Sequence, residues 1–329
     1  MIAPMDRAHF LRLLCSLPLN AFLWQCSGGP TTKVTLAGGS LGGGWSAISE
    51  GLATCFRREL PGAAITNEPG RDGANAALVN SGRVQLGIVH ATMARLALEG
   101  ADPYRERLQN VRGISLVYRD SAFHFLIDSD LPFQSIDDIK RARYPLRLSA
   151  SYRGSFMEIA NKTVLAAHGI SYEDLESWGG RVYFRALRPS VDLMKEGRLD
   201  ALGVNVQFPE TNMREAGLRR NLRLLPLSSS AIAYVNERLE TEASHIPAGT
   251  YTFAGSDVPT FSGSAVLIAH SELAEELAYR LTGALVTNLD YLRRVHRALS
   301  KLEPSDFPRV GTLPLHPGAE RFYRSAGIL

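Results

Sequence analysis

Glycines gather at one point of the chain in a pattern suited to holding an anion: Gly38, Gly39, Gly42, Gly43 and Gly44, with Ser40 among them. They follow the apolar run Val34-Thr35-Leu36 and precede an amphipathic stretch from Trp45 to about Leu60. This order predicts strand, glycine loop, helix. The first turn of a helix carries unbonded N–H groups and the positive end of the helix dipole, and both favour an anion. Glycine lets backbone approach a ligand closely because no Cβ intervenes. The same residues fit a flexible turn that binds nothing. Residues Gly38 to Gly42 also spell Gly-x-Ser-x-Gly, the nucleophile elbow of serine hydrolases, with Asp257 and His270 available downstream. Against that chemistry, the elbow would follow the first strand of the mature chain, before a hydrolase sheet and its oxyanion loop are built.

A second unit of similar order lies further along. Leu146-Arg147-Leu148-Ser149 reads as a strand, Tyr152-Arg153-Gly154-Ser155 as the loop after it, and a helix continues through Phe156, Ile159, Val164 and Ala167. Each unit closes in the same way: Leu78-x-x-x-Gly82-Arg83-Val84 matches Leu193-x-x-x-Gly197-Arg198-Leu199. The first of these helices, from about Ala74 to Ser81, feeds the nearly apolar strand Val84 to Val89, and the second feeds Leu199 to Val206. Strands alternating with helices imply parallel sheets covered on both faces. Two such units make two α/β lobes whose binding loops sit at the carboxyl ends of the strands. If the lobes face one another, helices starting near Trp45 and Phe156 would grip a small anion between them. Val111 to Ile127 reads as an extended crossing between the lobes, and the apolar stretch Leu222 to Val235 as the way back. The division expected is 31–118 with 229–329 for one lobe and 119–228 for the other.

Composition narrows the partners. The chain has 329 residues, 45% hydrophobic and 21% charged, enough for two globular lobes. A net charge of +3, from 36 basic against 33 acidic side chains, argues against nucleic acid as the main partner. Residues 1–30 differ from the rest: Arg7 and Arg12 flank the start of an apolar stretch from Leu13 to Trp24, and a Ser-Gly-Gly-Pro break follows. That is the pattern of an export signal. Leu23-Trp24-Gln25-Cys26 has lipoprotein spacing with unusual residues before the cysteine, so a lipid on Cys26 and a plain secretory leader both remain open. Of three cysteines only Cys55 lies in the body, where burial on a helix with Ile48, Leu52 and Phe56 is its expected role. No Cys/His cluster has zinc spacing, and neither metal nor cofactor is expected.

On these residues the chain resembles the TAXI family, the solute receptors of tripartite periplasmic (TRAP) transporters. Gly197-Arg198-Leu199-Asp200-Ala201 is close to that family's Gly-Lys-Ile-Asp-Ala, and Asp72-Gly73-Ala74-Asn75 shares the asparagine of its Ser-Val-Glu-Asn turn. The tail Leu315-His316-Pro317-Gly318-Ala319-Glu320-Arg321-Phe322-Tyr323-Arg324 is the most specific match. The likeness runs from about Lys33 to Leu329. It departs at the presumed ligand: Trp45-Ser46 stand where the family often has two tyrosines, and Arg153-Gly154-Ser155-Phe156 where it has Gly-Ser-Gly-Thr. The resemblance implies a type II periplasmic-binding-protein fold that is not an enzyme. It would bind glutamate, a 2-oxoglutarate-like acid or another small organic acid outside the cytoplasm and deliver it to a TRAP-type membrane permease. The same fold serving a sensor kinase is the alternative. Expected ligand contacts are Ser40, Gly43, Gly44 and Trp45 from the first loop, then Asn75, and His90 and Thr92 at a strand end. The second lobe would add Arg153, Gly154 and Ser155, with Gln207 and Phe208 where the last long strand stops. Arg153 suits a bidentate pair with a carboxylate. His316 is expected to fix the tail.

Overall fold

The computed structural model describes residues 32–40 and 43–329. The expected export segment with Cys26, and Gly42 of the Ser40 motif, lie outside the described residues. The strand β1 (Lys33–Ala37) leads through the glycine loop to the helix α1 (Gly44–Glu59), followed by β2 (Ala64–Glu68), α2 (Asp72–Asn80), β3 (Leu86–His90) and α3 (Ala91–Glu99). The long strand β4 (Val111–Asp128) carries the chain into the second half. There α4 (Ile136–Ala142), β5 (Arg147–Ser149), α5 (Phe156–Ala167), α6 (Tyr172–Ser177), β6 (Arg181–Tyr183), α7 (Leu187–Lys195) and β7 (Ala201–Val206) follow one another. Next come α8 (Thr211–Gly217), β8 (Leu222–Leu224), α9 (Ser229–Leu239) and β9 (Glu242–Ile246). A second long strand, β10 (Val258–His270), returns the chain to α10 (Glu275–Thr287), α11 (Leu289–Val295) and α12 (Pro317–Ser325).

The strands run in the order β2-β1-β3-β10-β4-β7-β5-β6. Each half repeats one plan. Parallel β2-β1-β3 abuts antiparallel β10, and parallel β6-β5-β7 abuts antiparallel β4. This is the two-lobed α/β architecture expected, with one difference: each parallel set takes in an antiparallel strand from the other end of its lobe. An apolar run does not reveal the direction in which it will pair, so β10 was not legible as the return crossing. Leu222 to Val235, expected to make that crossing, is divided between β8, which pairs with β4, and α9.

The repeated Leu-x-x-x-Gly-Arg segments close their helices identically. Gly82 and Gly197 adopt φ +70 and +68, the left-handed region that favours glycine. The following Arg83 and Arg198 N–H groups donate to Leu78 and Leu193 carbonyls at 3.1 and 2.9 Å. Each helix thus ends in the same turn and feeds a buried strand.

Helix α1 buries Ile48, Leu52, Cys55 and Phe56, an i, i+4, i+7, i+8 face, against the first lobe's core. Burial pushes the Cys55 thiol up to about 12, as suits a packing residue. In the second lobe β4 alternates by the period of a strand. Phe123, Phe125 and Ile127 join one apolar cluster with Phe156 and Val164, while Ala122 and Leu126 join another with Met194 and Met213. The sheet is therefore covered on both faces there. Ile232, Val235 and Leu239 of α9 pack in the cluster that holds Phe156. No helix among the described residues is long and apolar enough to cross a membrane.

The two halves join through β4 and β10. These pair antiparallel from Val111–His270 to Ala122–Ser262, with register shifts between Gly263 and Ala265 and at two further points. Such irregularities twist and bend a strand pair locally. Just beyond them His124 is wholly buried, its Nδ1 2.9 Å from the Ala122 carbonyl and its Nε2 3.1 Å from the Tyr251 hydroxyl. Burial disfavours the charged imidazole and brings its pKa from 6.5 down to about 4. The unfolded chain thus binds a proton that the folded chain refuses. The stability tied to a neutral His124 is complete above pH 6.5 and is lost as pH falls from there toward 4, by up to about 3 kcal/mol. Urea unfolding across that range is expected to show the decline, and His124→Gln to flatten it.

Candidate functional site

The carboxyl ends of β1 and β3 in one lobe, and of β5 and β6 in the other, bring their loops to the same cleft. One side chain ties them together. Asp72, the first residue of α2, accepts hydrogen bonds at Oδ1 from the His90 backbone N–H (2.9 Å) and at Oδ2 from the Phe156 backbone N–H (2.9 Å). His90 Nδ1 lies 3.0 Å from the same Oδ2, and because an ionised carboxylate only accepts, that nitrogen donates. Burial pushes the Asp72 carboxyl up. The His90 imidazole beside it and hydrogen bonds from His90 and the Phe156 backbone outweigh that effect and hold it below the ordinary value. Phe156 begins α5, so the N-terminus of the second-lobe helix already holds a carboxylate supplied by the first lobe. The seat expected there for a ligand's anion is filled by the protein's own Asp72.

Aromatic stacking continues the contact. The Phe156 ring stacks on His90 at 4.4 Å between centroids, and the Trp45 ring lies tilted against the same His90 ring at 4.9 Å. The Trp45 indole N–H donates to the Tyr118 hydroxyl (2.5 Å). Trp45 thus links the His90 ring to Tyr118 of β4. His90 Nε2 and Gln207 Nε2 are buried and have no partner among the described residues. Further interlobe contacts flank this centre: Arg297 donates to the Pro209 carbonyl at 3.0 Å.

The glycine loop divides into two parts. A Cβ on Gly38 would stand 2.3 Å from Ser49 Oγ and one on Gly39 2.3 Å from Trp45 Cβ, so these two glycines serve the packing of the loop on α1. Among the described residues Gly43 and Gly44 have no such neighbour under 3.3 Å. Gly43 starts α1 in extended conformation, without a side-chain cap and with no acidic residue in the first turn. Ser40 is exposed beside it, its carbonyl accepting the Gly43 N–H at 3.1 Å. Among the described residues no carboxylate caps this helix start, which has His296 Nε2 beside Gly44, whereas that of α5 holds Asp72.

Several expected contacts are committed to the scaffold instead. Asn75 is fully buried; its Nδ2 donates to the Ala37, Gly38 and Ile88 carbonyls and its Oδ1 accepts the Arg71 N–H. Thr92 lies in the first turn of α3 and donates its hydroxyl to the Leu239 carbonyl at 2.6 Å. Ser155 caps α5, and the Gly154 N–H donates to Glu158 Oε2 at 3.2 Å. Phe208 packs against His124 with ring centroids 6.2 Å apart. His316 caps α12 and fixes the tail to β4, its own N–H donating to the Gly113 carbonyl at 2.8 Å.

Arg153 is exposed at the cleft and lays its guanidinium 3.7 Å over the Phe184 ring. Nearby, a cavity of about 430 Å³ opens at the ends of β5 and β6, lined by Tyr152, Arg181, Tyr183, Phe184 and Arg185 among others. The interleaved run Arg181-Val182-Tyr183-Phe184-Arg185 was the signal in the sequence that could have found it. For Asp72 there was none: an acidic residue in a first turn ordinarily serves its own helix. Among the described residues no group of three His, Cys, Asp or Glu side chains is placed to hold a metal ion.

The partners considered for a Ser40 nucleophile do not converge. Asp257 accepts the Ala248 N–H and His270 Nδ1 the Glu272 N–H. They stand at opposite ends of the 13-residue strand β10, roughly 40 Å apart at ~3.3 Å per residue.

Removing the Asp72 carboxylate would leave two backbone N–H groups and the His90 Nδ1–H without an acceptor. Asp72→Ala is expected to lose about 3 kcal/mol or more in urea unfolding at neutral pH. Because the folded pKa of Asp72 is lowered, its contribution is present above the unfolded value of 3.8 and vanishes as pH falls through the folded one. The gap between wild type and variant should therefore close in acid.

The sequence matches the NMT1-like family over residues 36–327. Among solved structures the fold is similar to that of MatC (Rpa3494) from Rhodopseudomonas palustris with bound malate, with a TM-score of 0.56 and 15% identity, covering 91% of this chain and 99% of that one. It is similar too to PhnD1 from Prochlorococcus marinus (MIT 9301) in complex with methylphosphonate, with a TM-score of 0.54, 16% identity and coverage of 91% and 99%. A third is the periplasmic binding protein BugD, with a TM-score of 0.51, 13% identity and the same coverage. At such identities the likeness is one of fold, the two-lobed fold of periplasmic binding proteins. With the family match spanning nearly all the described residues, the chain belongs to the NMT1-like family.

Proposed function

We propose that this protein is an extracytoplasmic solute receptor that binds a small carboxylate between its lobes and hands it to a TRAP-type membrane permease, as its resemblance to TAXI receptors implies. The observation that carries the reading is the pair of matching half-sheets whose carboxyl-end loops meet across one cleft, joined by the strands β4 and β10. Loops at the carboxyl ends of strands are where such α/β sheets bind ligands. The lobes proposed are residues 31–118 with 229–329, and 119–228, with α9 laying its apolar face on the second lobe's cluster; residues 1–30 export the chain, with Cys26 as the candidate lipid anchor. Similar folds hold malate in MatC and methylphosphonate in PhnD1, both small anions.

Within the cleft the solute's charge is met by the uncapped start of α1, at Ser40, Gly43 and Gly44, and by Arg153. Trp45, His90 and Gln207 form the wall, with Asp72 holding α5 in place. Binding and lobe closure are the whole activity; no bond is made or broken.

A thermal-shift series on protein freed of co-purified solute tests this, using glutamate, 2-oxoglutarate, malate and other small organic acids. A ligand at a hundred times its dissociation constant stabilises by about 2.7 kcal/mol, which for a chain of this size lifts the midpoint by roughly 4 °C. Arg153→Ala is expected to abolish the shift without lowering the midpoint of the free protein. A flat response to every acid would refute the reading.

A further inference from the structure

Five of the eight residues lining the cavity at the ends of β5 and β6 are of two kinds, with Val182, Ala186 and Pro189 completing it. Tyr152, Tyr183 and Phe184 give it aromatic faces, and Arg181 and Arg185 give it charge; none of its lining residues is acidic. The rings are already in use as platforms for guanidinium groups. Arg153 lies 3.7 Å over Phe184, Arg181 5.2 Å over Tyr183, and Arg71, from the first lobe, 5.0 Å over Tyr152. Among the described residues none of Arg71, Arg153, Arg181 and Arg185 is paired with a carboxylate. A guanidinium that stacks by its face keeps its N–H edges for an anion.

We infer that the solute of this receptor is a planar aromatic carboxylate, held with its acid group on the guanidinium edges and its ring among Tyr152, Tyr183 and Phe184. This rests on the receptor reading above and narrows its substrate class. Two features favour it over a short aliphatic acid. The open pocket of about 430 Å³ has room for a ring as well as its carboxylate. Aromatic faces and guanidinium planes attract a flat π-system as well as its charge, whereas an aliphatic acid meets the charge alone. An anion seated here would touch the second lobe through Arg181 and Arg185 and lie beside Arg71 of the first, so its charge would draw the lobes together.

Calorimetric titration of the full chain, freed of co-purified solute, with benzoate, cyclohexanecarboxylate and malate tests the inference. Benzoate and cyclohexanecarboxylate share charge and size and differ in planarity. Benzoate is expected to bind about tenfold more tightly than cyclohexanecarboxylate and than malate. Arg181→Gln and Arg185→Gln should each weaken benzoate with an unchanged melting temperature. Equal binding of the two ring acids, or malate preferred to both, would overturn the aromatic assignment and leave the carboxylate receptor standing. Silence from all three acids would overturn the aromatic assignment, and the carboxylate receptor reading would fall with it only if glutamate and 2-oxoglutarate were silent as well.

Discussion

A buried carboxylate has to find hydrogen-bond donors, and Asp72 finds them in both lobes at once. Two of its three donors belong to His90 in its own lobe, and the third is the backbone N–H that opens α5 in the other. The requirement is strict because an unsatisfied buried charge costs far more than the net gain of one extra hydrogen bond. Separating the lobes must therefore either strip Asp72 of the Phe156 N–H or let water in to replace it. The stack of Phe156 on His90, with Trp45 beside it, keeps water out while the lobes touch. Closure is thus maintained by polar satisfaction and apolar cover acting on the same few atoms.

The rest of the molecule keeps those atoms in register. Two copies of one α/β plan, each with a helix ending in a left-handed glycine and a buried strand after it, present their loops on the same side. The long strands β4 and β10 belong to both lobes, and their register shifts fall between the two halves of the sheet. Bending concentrated there would swing one set of loops against the other while leaving each core intact. His124, buried beside that region, adds a polar group whose neutral form the fold requires.

Much of this was legible in the sequence because it follows from local rules. The spacing of Ile48, Leu52, Cys55 and Phe56 dictates a helix with one buried face, and the structure has it. Gly82 and Gly197 each stop a helix as their position suggests. The glycine loop between β1 and α1 stands where the pattern placed it. What local rules do not contain is the pairing of distant strands, so β10 running antiparallel into the first lobe was out of reach. Side chains with two plausible uses were also ambiguous. Asn75 and Thr92 have the chemistry of ligand contacts, and their hydrogen bonds go to carbonyls of the scaffold. Asp72 went unrecognised as a contact for the complementary reason: its partner on α5 is 84 residues away in the chain. Arg181 and Arg185 gain their meaning from the cavity that Tyr152 completes, which only folding assembles.

Asp72 holds the two lobes in contact. Small-angle X-ray scattering of the solute-free full chain and its Asp72→Ala variant, at neutral pH where both are folded, reads this directly. A larger radius of gyration is expected for the variant, as the lobes part about β4 and β10. Superimposable scattering curves from the two folded proteins would contradict it.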